Sequence, residues 1–263
     1  MFDSSAMFDE FYRKHVVLPR ETQSDLHRKK HLNIKRLKQG LKEYNDEHGT
    51  TYRVVESCVQ GSVAMSTVVQ NENKDYDIDV AVVFEKSELG DLGARAVRNV
   101  VADALRRKTG AFRTEPEVKT GCVRIAYAEG YHVDFAVYRR EQIDGRWRYE
   151  HAGADWTRRD LHGLTNWFKQ QNEICRDQLR KVVRLSKMFC KSRDSWTKMP
   201  SGLIQTVLCD EKLQRGYERT DELFYHTMKE IVRRIEVDTA VSAPVDGGRQ
   251  LVTRQSDKQK MVN

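Results

Sequence analysis

Cysteine is scarce in this 263-residue chain: Cys58, Cys122, Cys175, Cys190 and Cys209, five in all, widely spaced and never as CxxC. An odd number at such spacings argues against a disulfide framework or a cysteine-based zinc site, and makes a reducing cytoplasm the expected compartment. Proline is rarer still, at four residues, and the 15 glycines follow no period, so neither a collagen-like nor a Pro-rich chain is encoded. No apolar run approaches the ~20 residues that a membrane helix needs, and no membrane partner is expected. The opening MFDSSAMFDEFYRKH has no basic start, apolar core or small-residue cleavage site, so it does not read as a secretory leader.

Charge, by contrast, is plentiful. Lys and Arg number 46 against 39 Asp and Glu, a formal charge of +7. That excess favours a polyanionic partner, nucleotide or nucleic acid. Hydrophobic residues make up 39% and charged residues 32%, a polar balance that still supports a packed core at this length.

Hydrophobic periodicity divides the chain in two. Residues 21–47 read as a long polar helix, with Ile34, Leu37, Leu41 and Tyr44 recurring at three- and four-residue steps. Residues 52–59 read as a strand, 77–84 as the clearest strand of the chain, and 91–107 as an amphipathic helix. Two further strands, 122–128 and 131–138, flank Glu129-Gly130 as a hairpin. Beyond residue 160 the pattern is helical: 161–192 with a break near Asn172, then 201–213 and 220–237. The expected organisation is an α/β lobe over 1–155, a helical lobe over 156–240, a mobile tail over 241–263, and a ligand site in a cleft between the lobes.

The stretch Lys74-Asp75-Tyr76-Asp77-Ile78-Asp79-Val80-Ala81-Val82-Val83-Phe84 carries the most chemistry. Strand side chains alternate, so Asp77 and Asp79 share one face, while Ile78, Val80, Val82 and Phe84 face the core. Two adjacent carboxylates cost free energy unless a cation joins them, and a hard divalent ion with oxygen ligands meets that need. Asp75, Asp77 and Asp79 also begin like a calcium-binding loop, but Val80 stands where its glycine belongs and Lys86 where its glutamate belongs. In the later strand, Val133, Phe135 and Val137 face the core and Asp134 faces the other way. If the two strands are neighbours, Asp134 joins Asp77 and Asp79, and three carboxylates can hold two metals ~3.5–4 Å apart for phosphoryl or nucleotidyl transfer.

Upstream, Gln60-Gly61-Ser62 ends a strand; a glycine admits backbone amides to a phosphate and a serine adds a donor. Gly61-Ser62, then Asp77-x-Asp79 on a strand, then Asp134 on a later strand resembles the polymerase-β-type nucleotidyltransferase signature. Within that superfamily the chain most resembles the bacterial relatives of cyclic GMP-AMP synthase and oligoadenylate synthase, which make cyclic oligonucleotides in anti-phage defence operons. Phe11 and Val16-Val17-Leu18-Pro19 before the long helix resemble their N-terminal entry, Val182–Lys187 their basic helix, and Met199-Pro200-Ser201-Gly202-Leu203 the start of the next one. The resemblance covers roughly residues 10–235.

The resemblance implies an α+β fold: a polymerase-β-like lobe, with a mixed sheet and a long N-terminal spine helix, plus a C-terminal helical lobe, the active site lying in the cleft. It implies an enzyme that joins ribonucleoside triphosphates, ATP among them, and releases pyrophosphate. Two Mg²⁺ ions, with Mn²⁺ as a substitute, would be held by Asp77, Asp79 and Asp134, and these three would be catalytic. Gly61, Ser62, Arg184, Lys187 and Ser201 would contact nucleotide, Lys187 foremost. Arg180, Arg184, Lys187 and Lys191 do form a basic stripe at helical spacing, which without the carboxylates would read equally well as a solvated surface. Ser201 after Pro200 reads equally as a helix N-cap. The four tryptophans are expected to pack, and His132 to make a structural hydrogen bond. A monomer is expected rather than an obligate oligomer, and a regulatory protein or RNA activator is a candidate partner. The rival readings are a linear nucleotidyltransferase acting on RNA, an antibiotic or a protein, and a degenerate relative that only binds nucleotide or RNA.

Overall fold

The computed structural model describes residues 2–72, 76–108, 115–127, 130–193 and 199–252. In chain order the elements are α1 (Ser5–Phe11), a π-helical turn (Tyr12–Val16), α2 (Arg20–His48), β1 (Glu56–Val59), α3 (Gly61–Ala64), β2 (Asp77–Glu85), α4 (Lys86–Leu89) and α5 (Ala94–Arg106). There follow β3 (Glu117–Val118), β4 (Val123–Ala126), β5 (His132–Ile143), β6 (Arg146–Ala152), β7 (Trp156–Arg158), α6 (Gly163–Ile174), α7 (Gln178–Lys191), α8 (Gly202–Lys212) and α9 (Thr220–Val237). Among the described residues no helix is long and apolar enough to cross a membrane.

Two compact units emerge, each assembled from separate stretches. One comprises Arg20–Ala64 and Asn71–His162, the other Met1–Pro19, Met65–Gln70 and Gly163–Asn263. A single cut after residue 155 therefore does not describe them: the first turns of the chain and the short 65–70 segment go with the helices.

The sheet unit is built on strand order β1-β2-β5-β4-β3, with β6 pairing β5 and β7 pairing β6. β2 and β5 run parallel; the other pairings are antiparallel. β2 is apolar from Val80 to Phe84, where both its faces are covered, as parallel strands require. Ile78, Val80, Val82 and Phe84 are buried on one face, and Ala81 and Val83 are buried on the other, in a cluster with Tyr138 and Leu161. The carboxylates thus occupy the strand's first turns, before its second face closes over. The β5–β6 hairpin was not anticipated, although Asp144-Gly145 announces it: both residues have positive φ, 51° and 72°, as a tight two-residue hairpin turn needs.

α2 and α5 pack on each other and on the sheet, most tightly at Gly40. A Cβ there would lie 1.8 Å from the Ala104 carbonyl oxygen. Neither backbone can yield, so Gly40→Ala is expected to cost about 1–3 kcal/mol through overpacking, outweighing the ~1 kcal/mol that alanine gains in helix propensity. Urea unfolding reads this directly, and an unshifted midpoint would contradict the close crossing.

In the helical unit α6 ends where Arg176 and Asp177 adopt left-handed backbone, and Asn172 bridges the break: its Nδ2 donates to Asp177 Oδ1 at 2.6 Å, and its Oδ1 accepts from the Arg180 amide at 2.8 Å. Met65, Phe168, Leu179, Val182, Val183, Cys209 and Leu223 make the main core. The tail reading needs revision up to residue 252. Val241, Ala243 and Val252 are buried, the first and last with Ile204 and Leu208, and a β-bridge joins Ser242 to Gln250. Residues 253–263 lie outside the described residues.

Candidate active site

The sheet unit brings its predicted carboxylates together through register. In the parallel β2–β5 pair, Asp79 stands opposite Asp134, and Asp77 opposite His132. The alternation that buries Ile78 and Val80 on β2, and Val133 and Phe135 on β5, turns all three carboxylates to one face. Asp75, at the start of the calcium-loop alternative, lies outside the described residues.

Gly61-Ser62 is positioned against Asp79 by the turn leaving β1. The Gln60 amide donates to the Asp79 carbonyl at 2.9 Å, and the Gln60 side chain donates to the Leu161 carbonyl at 2.9 Å. Gly61 then takes φ +62° and opens the single turn α3. A Cβ on Gly61 would lie 2.0 Å from Asp79 Oδ2. Glycine is required here twice over, by its backbone and by the carboxylate in the space of its missing side chain.

The residue missed in the sequence is Arg124. It lies opposite Asp134 in the antiparallel β4–β5 pair. Its guanidinium donates to both oxygens of Asp134, Nε to Oδ1 at 2.7 Å and NH2 to Oδ2 at 2.6 Å, and NH2 also reaches Asp77 Oδ1 at 3.3 Å. The side chain of Asp134 is 13% exposed and that of Arg124 26%, while Asp77 is open at 56%. The bond to Asp134 first, then the charges of Asp134 and Asp77, raise the arginine's proton affinity further, against the cost of its burial. A signal for this pairing existed: counting outward in equal steps from Glu129 of the hairpin sets 124 against 134.

In chemistry the donors match a hard divalent cation: three carboxylates on one sheet face, with Asp79 beside the Gly61 turn. They are aligned rather than closed into a cage. Among the described residues no three His, Cys, Asp or Glu side chains are gathered in metal-binding geometry, and Arg124 engages Asp134 and Asp77. Arg124 thus supplies counter-charge to Asp134 and Asp77. His132 Nδ1 lies 3.8 Å from Asp77 Oδ1, too far for a hydrogen bond. The Cys122 thiol nearby is pushed up to about 12, by burial and then by the Asp134 charge, which removes it as a nucleophile.

The predicted nucleotide contacts Arg184, Lys187 and Ser201 lie in the helical unit, where each already has a partner. Arg184 donates to the Ser66 carbonyl and to the Tyr12 hydroxyl, both at 2.9 Å. Lys187 Nζ donates to Thr67 Oγ1 at 2.9 Å and to its carbonyl at 3.3 Å. The two cations thus tie α7 to the 65–70 segment, and neither belongs to a freely solvated stripe. Arg180 pairs locally with Asp177. Ser201 is the N-cap of α8, its Oγ accepting from the Ile204 amide at 3.4 Å. At that same helix start, Lys187 Cε passes 3.1 Å from the Cβ position of Gly202, bringing its amine to the positive end of α8. Phe189 on α7 is 39% exposed. Trp156 donates to the Leu92 carbonyl and Trp167 packs on the main core, while Trp147 is capped by the Arg140 guanidinium. Trp196 lies outside the described residues.

Residues 55–138 match the family model for the nucleotidyltransferase domain of DncV-like cyclic GMP-AMP synthases. The fold is similar to that of Vibrio cholerae DncV cyclic AMP-GMP synthase in complex with a linear intermediate, at TM-score 0.76 and 15% identity, over 98% of this chain and 86% of that one. It is similar to the Bradyrhizobium diazoefficiens CD-NTase CdnG in complex with GTP, at TM-score 0.70 and 16% identity, over 98% and 87%. It is also similar to Escherichia coli CdnC from its complex with HORMA, at TM-score 0.71 and 17% identity, over 98% and 87%. These likenesses establish the mixed α+β fold along nearly the whole chain. The family model falls on the stretch that holds the Gly61-Ser62 turn and all three carboxylates, so residues 55–138 are similar to a DncV-like nucleotidyltransferase domain, within a chain that shares the fold of these structures.

Proposed function

We propose that this protein joins ribonucleoside triphosphates, ATP among them, into a cyclic di- or oligonucleotide that serves as a second messenger of antiviral defence in the cytoplasm. The observation that carries the reading is the co-facial set Asp77, Asp79 and Asp134 beside the Gly61-Ser62 turn, within the segment that matches the DncV-like domain. Asp77 and Asp79 would hold one Mg²⁺, and Asp134 would complete a second site with them. Such ions supply charge neutralisation on the phosphates and an in-line template for displacement.

The chain's own groups divide the remaining work. Gly61 and Ser62 receive phosphate through backbone and hydroxyl donors. Arg184 and Lys187 neutralise triphosphate charge, with Ser201 at the start of α8 as an added donor. Asp134 takes the proton from the attacking ribose hydroxyl. The hydroxyl oxygen forms a bond to the α-phosphorus, the bond from that phosphorus to the β-phosphate bridging oxygen breaks, and pyrophosphate leaves. A second such step closes the ring. The protein acts as a monomer in this reading. The CdnC relative was solved with HORMA, which supports a protein partner here in preference to RNA.

Incubation with each labelled ribonucleotide, followed by phosphatase digestion and mass spectrometry, tests the proposal. A phosphatase-resistant product without free ends is expected. A product that loses terminal phosphate would assign a linear transferase instead, and no pyrophosphate with any combination of the four would leave a binding protein.

A further inference from the structure

The arginine across the hairpin bears on how the carboxylates accept a metal. Asp134 presents both its oxygens to one guanidinium in a fork, the strongest geometry open to this pair of groups. The same guanidinium reaches Asp77, so a single side chain spans two of the three carboxylates. Asp134 is the least exposed of that pair, and desolvation strengthens its bond to the arginine. Asp79, its register partner, touches Gly61 instead. Arg124 therefore holds two of the carboxylates unequally: Asp134 is clamped in a fork and Asp77 is touched at a single oxygen.

We propose that Arg124 is a positioning residue that acts as a built-in counter-cation, holding Asp134 ready and yielding it when a divalent ion enters. The inference rests on the metal-dependent reading of the site. The arginine stabilises the like-charged cluster in the metal-free protein and opposes ion entry at Asp134, by occupying its oxygens and by charge repulsion. An ion at Asp77 competes with a single 3.3 Å contact from Arg124, whereas one at Asp134 competes with the two bonds of the fork.

Binding of Mn²⁺ alone to the full-length protein, followed by electron paramagnetic resonance of the free ion, tests this without turnover. Arg124→Gln keeps a polar side chain but removes the charge. It is expected to tighten Mn²⁺ binding roughly tenfold, the effect of losing one partly screened charge a few ångströms away, and to lower the melting temperature in EDTA. Arg124→Lys, with one charge but no fork, should tighten binding by a smaller factor and serves if the glutamine variant does not fold. In an Asp134→Asn background the effect of Arg124→Gln on Mn²⁺ affinity should vanish. Unchanged or weaker Mn²⁺ binding in both arginine variants would overturn the proposal, as would a full effect persisting without Asp134. Failure of the wild-type protein to bind Mn²⁺, with product formation insensitive to EDTA, would instead remove the metal reading beneath it.

Discussion

Asp79→Asn is expected to abolish nucleotide joining while leaving the protein folded. The substitution keeps the size of the side chain and removes one oxygen's charge from the centre of the cluster, where Asp79 faces Asp134 across the β2–β5 pair. Loss of one carboxylate from a metal-assisted phosphoryl transfer costs several kcal/mol of transition-state stabilisation, about 10³-fold or more in rate. Stability should move the other way. Like charges directly opposite on a sheet are destabilising by a few tenths of a kcal/mol up to ~1 kcal/mol, so the melting temperature in EDTA should hold or rise. Pyrophosphate release and thermal unfolding, measured on the same preparation, separate the two effects. Activity within tenfold of wild type would end the assignment of Asp79 to the reaction.

Gly61→Ala should be nearly as damaging, by geometry rather than by charge. The new Cβ would sit 2.0 Å from Asp79 Oδ2 on a backbone with φ +62°. The left-handed conformation costs an alanine ~1–2 kcal/mol of stability. The carboxylate is the movable partner and swings aside, and displacement of a reacting group by about 1 Å can cost ~10²-fold in rate. Gly61→Asn distinguishes strain from collision, since asparagine tolerates the left-handed region but still carries a Cβ. Asparagine is expected to recover most of the stability and little of the activity. If the alanine variant works within about threefold of wild type, the Gly61 turn is not what holds Asp79.

The legible parts of this protein are those written in short-range periodicity. Alternation along Asp77–Phe84 and Tyr131–Tyr138 allotted each side chain to its face, and the structure agrees from residue to residue. Helical spacing placed α2, α5, α8 and α9 to within a few residues of their observed bounds. The β5–β6 hairpin was missed although Asp144-Gly145 is a strong turn signal, because Arg146-Trp147-Arg148-Tyr149-Glu150-His151 sets aromatics against charges and contains no aliphatic residue. A half-exposed strand of charged and aromatic residues is held by its pairing, not by a core face.

What the sequence by itself determined is a set of local commitments: which strands exist, which of their residues face the core, and that carboxylates crowd one end of the best strand. Residue spacing suffices for these because strand and helix periods act over one or two turns of chain. Only the tertiary structure decided that Asp79 meets Asp134, that Arg124 grips both Asp134 and Asp77, and that Arg184 and Lys187 are bonded to Tyr12, Ser66 and Thr67. Arg124 and Asp134 are only a hairpin apart, but the other contacts join residues far apart in the chain, through strand register or helix docking. Those long-range contacts follow from the packing of whole elements, and no short stretch of sequence contains them.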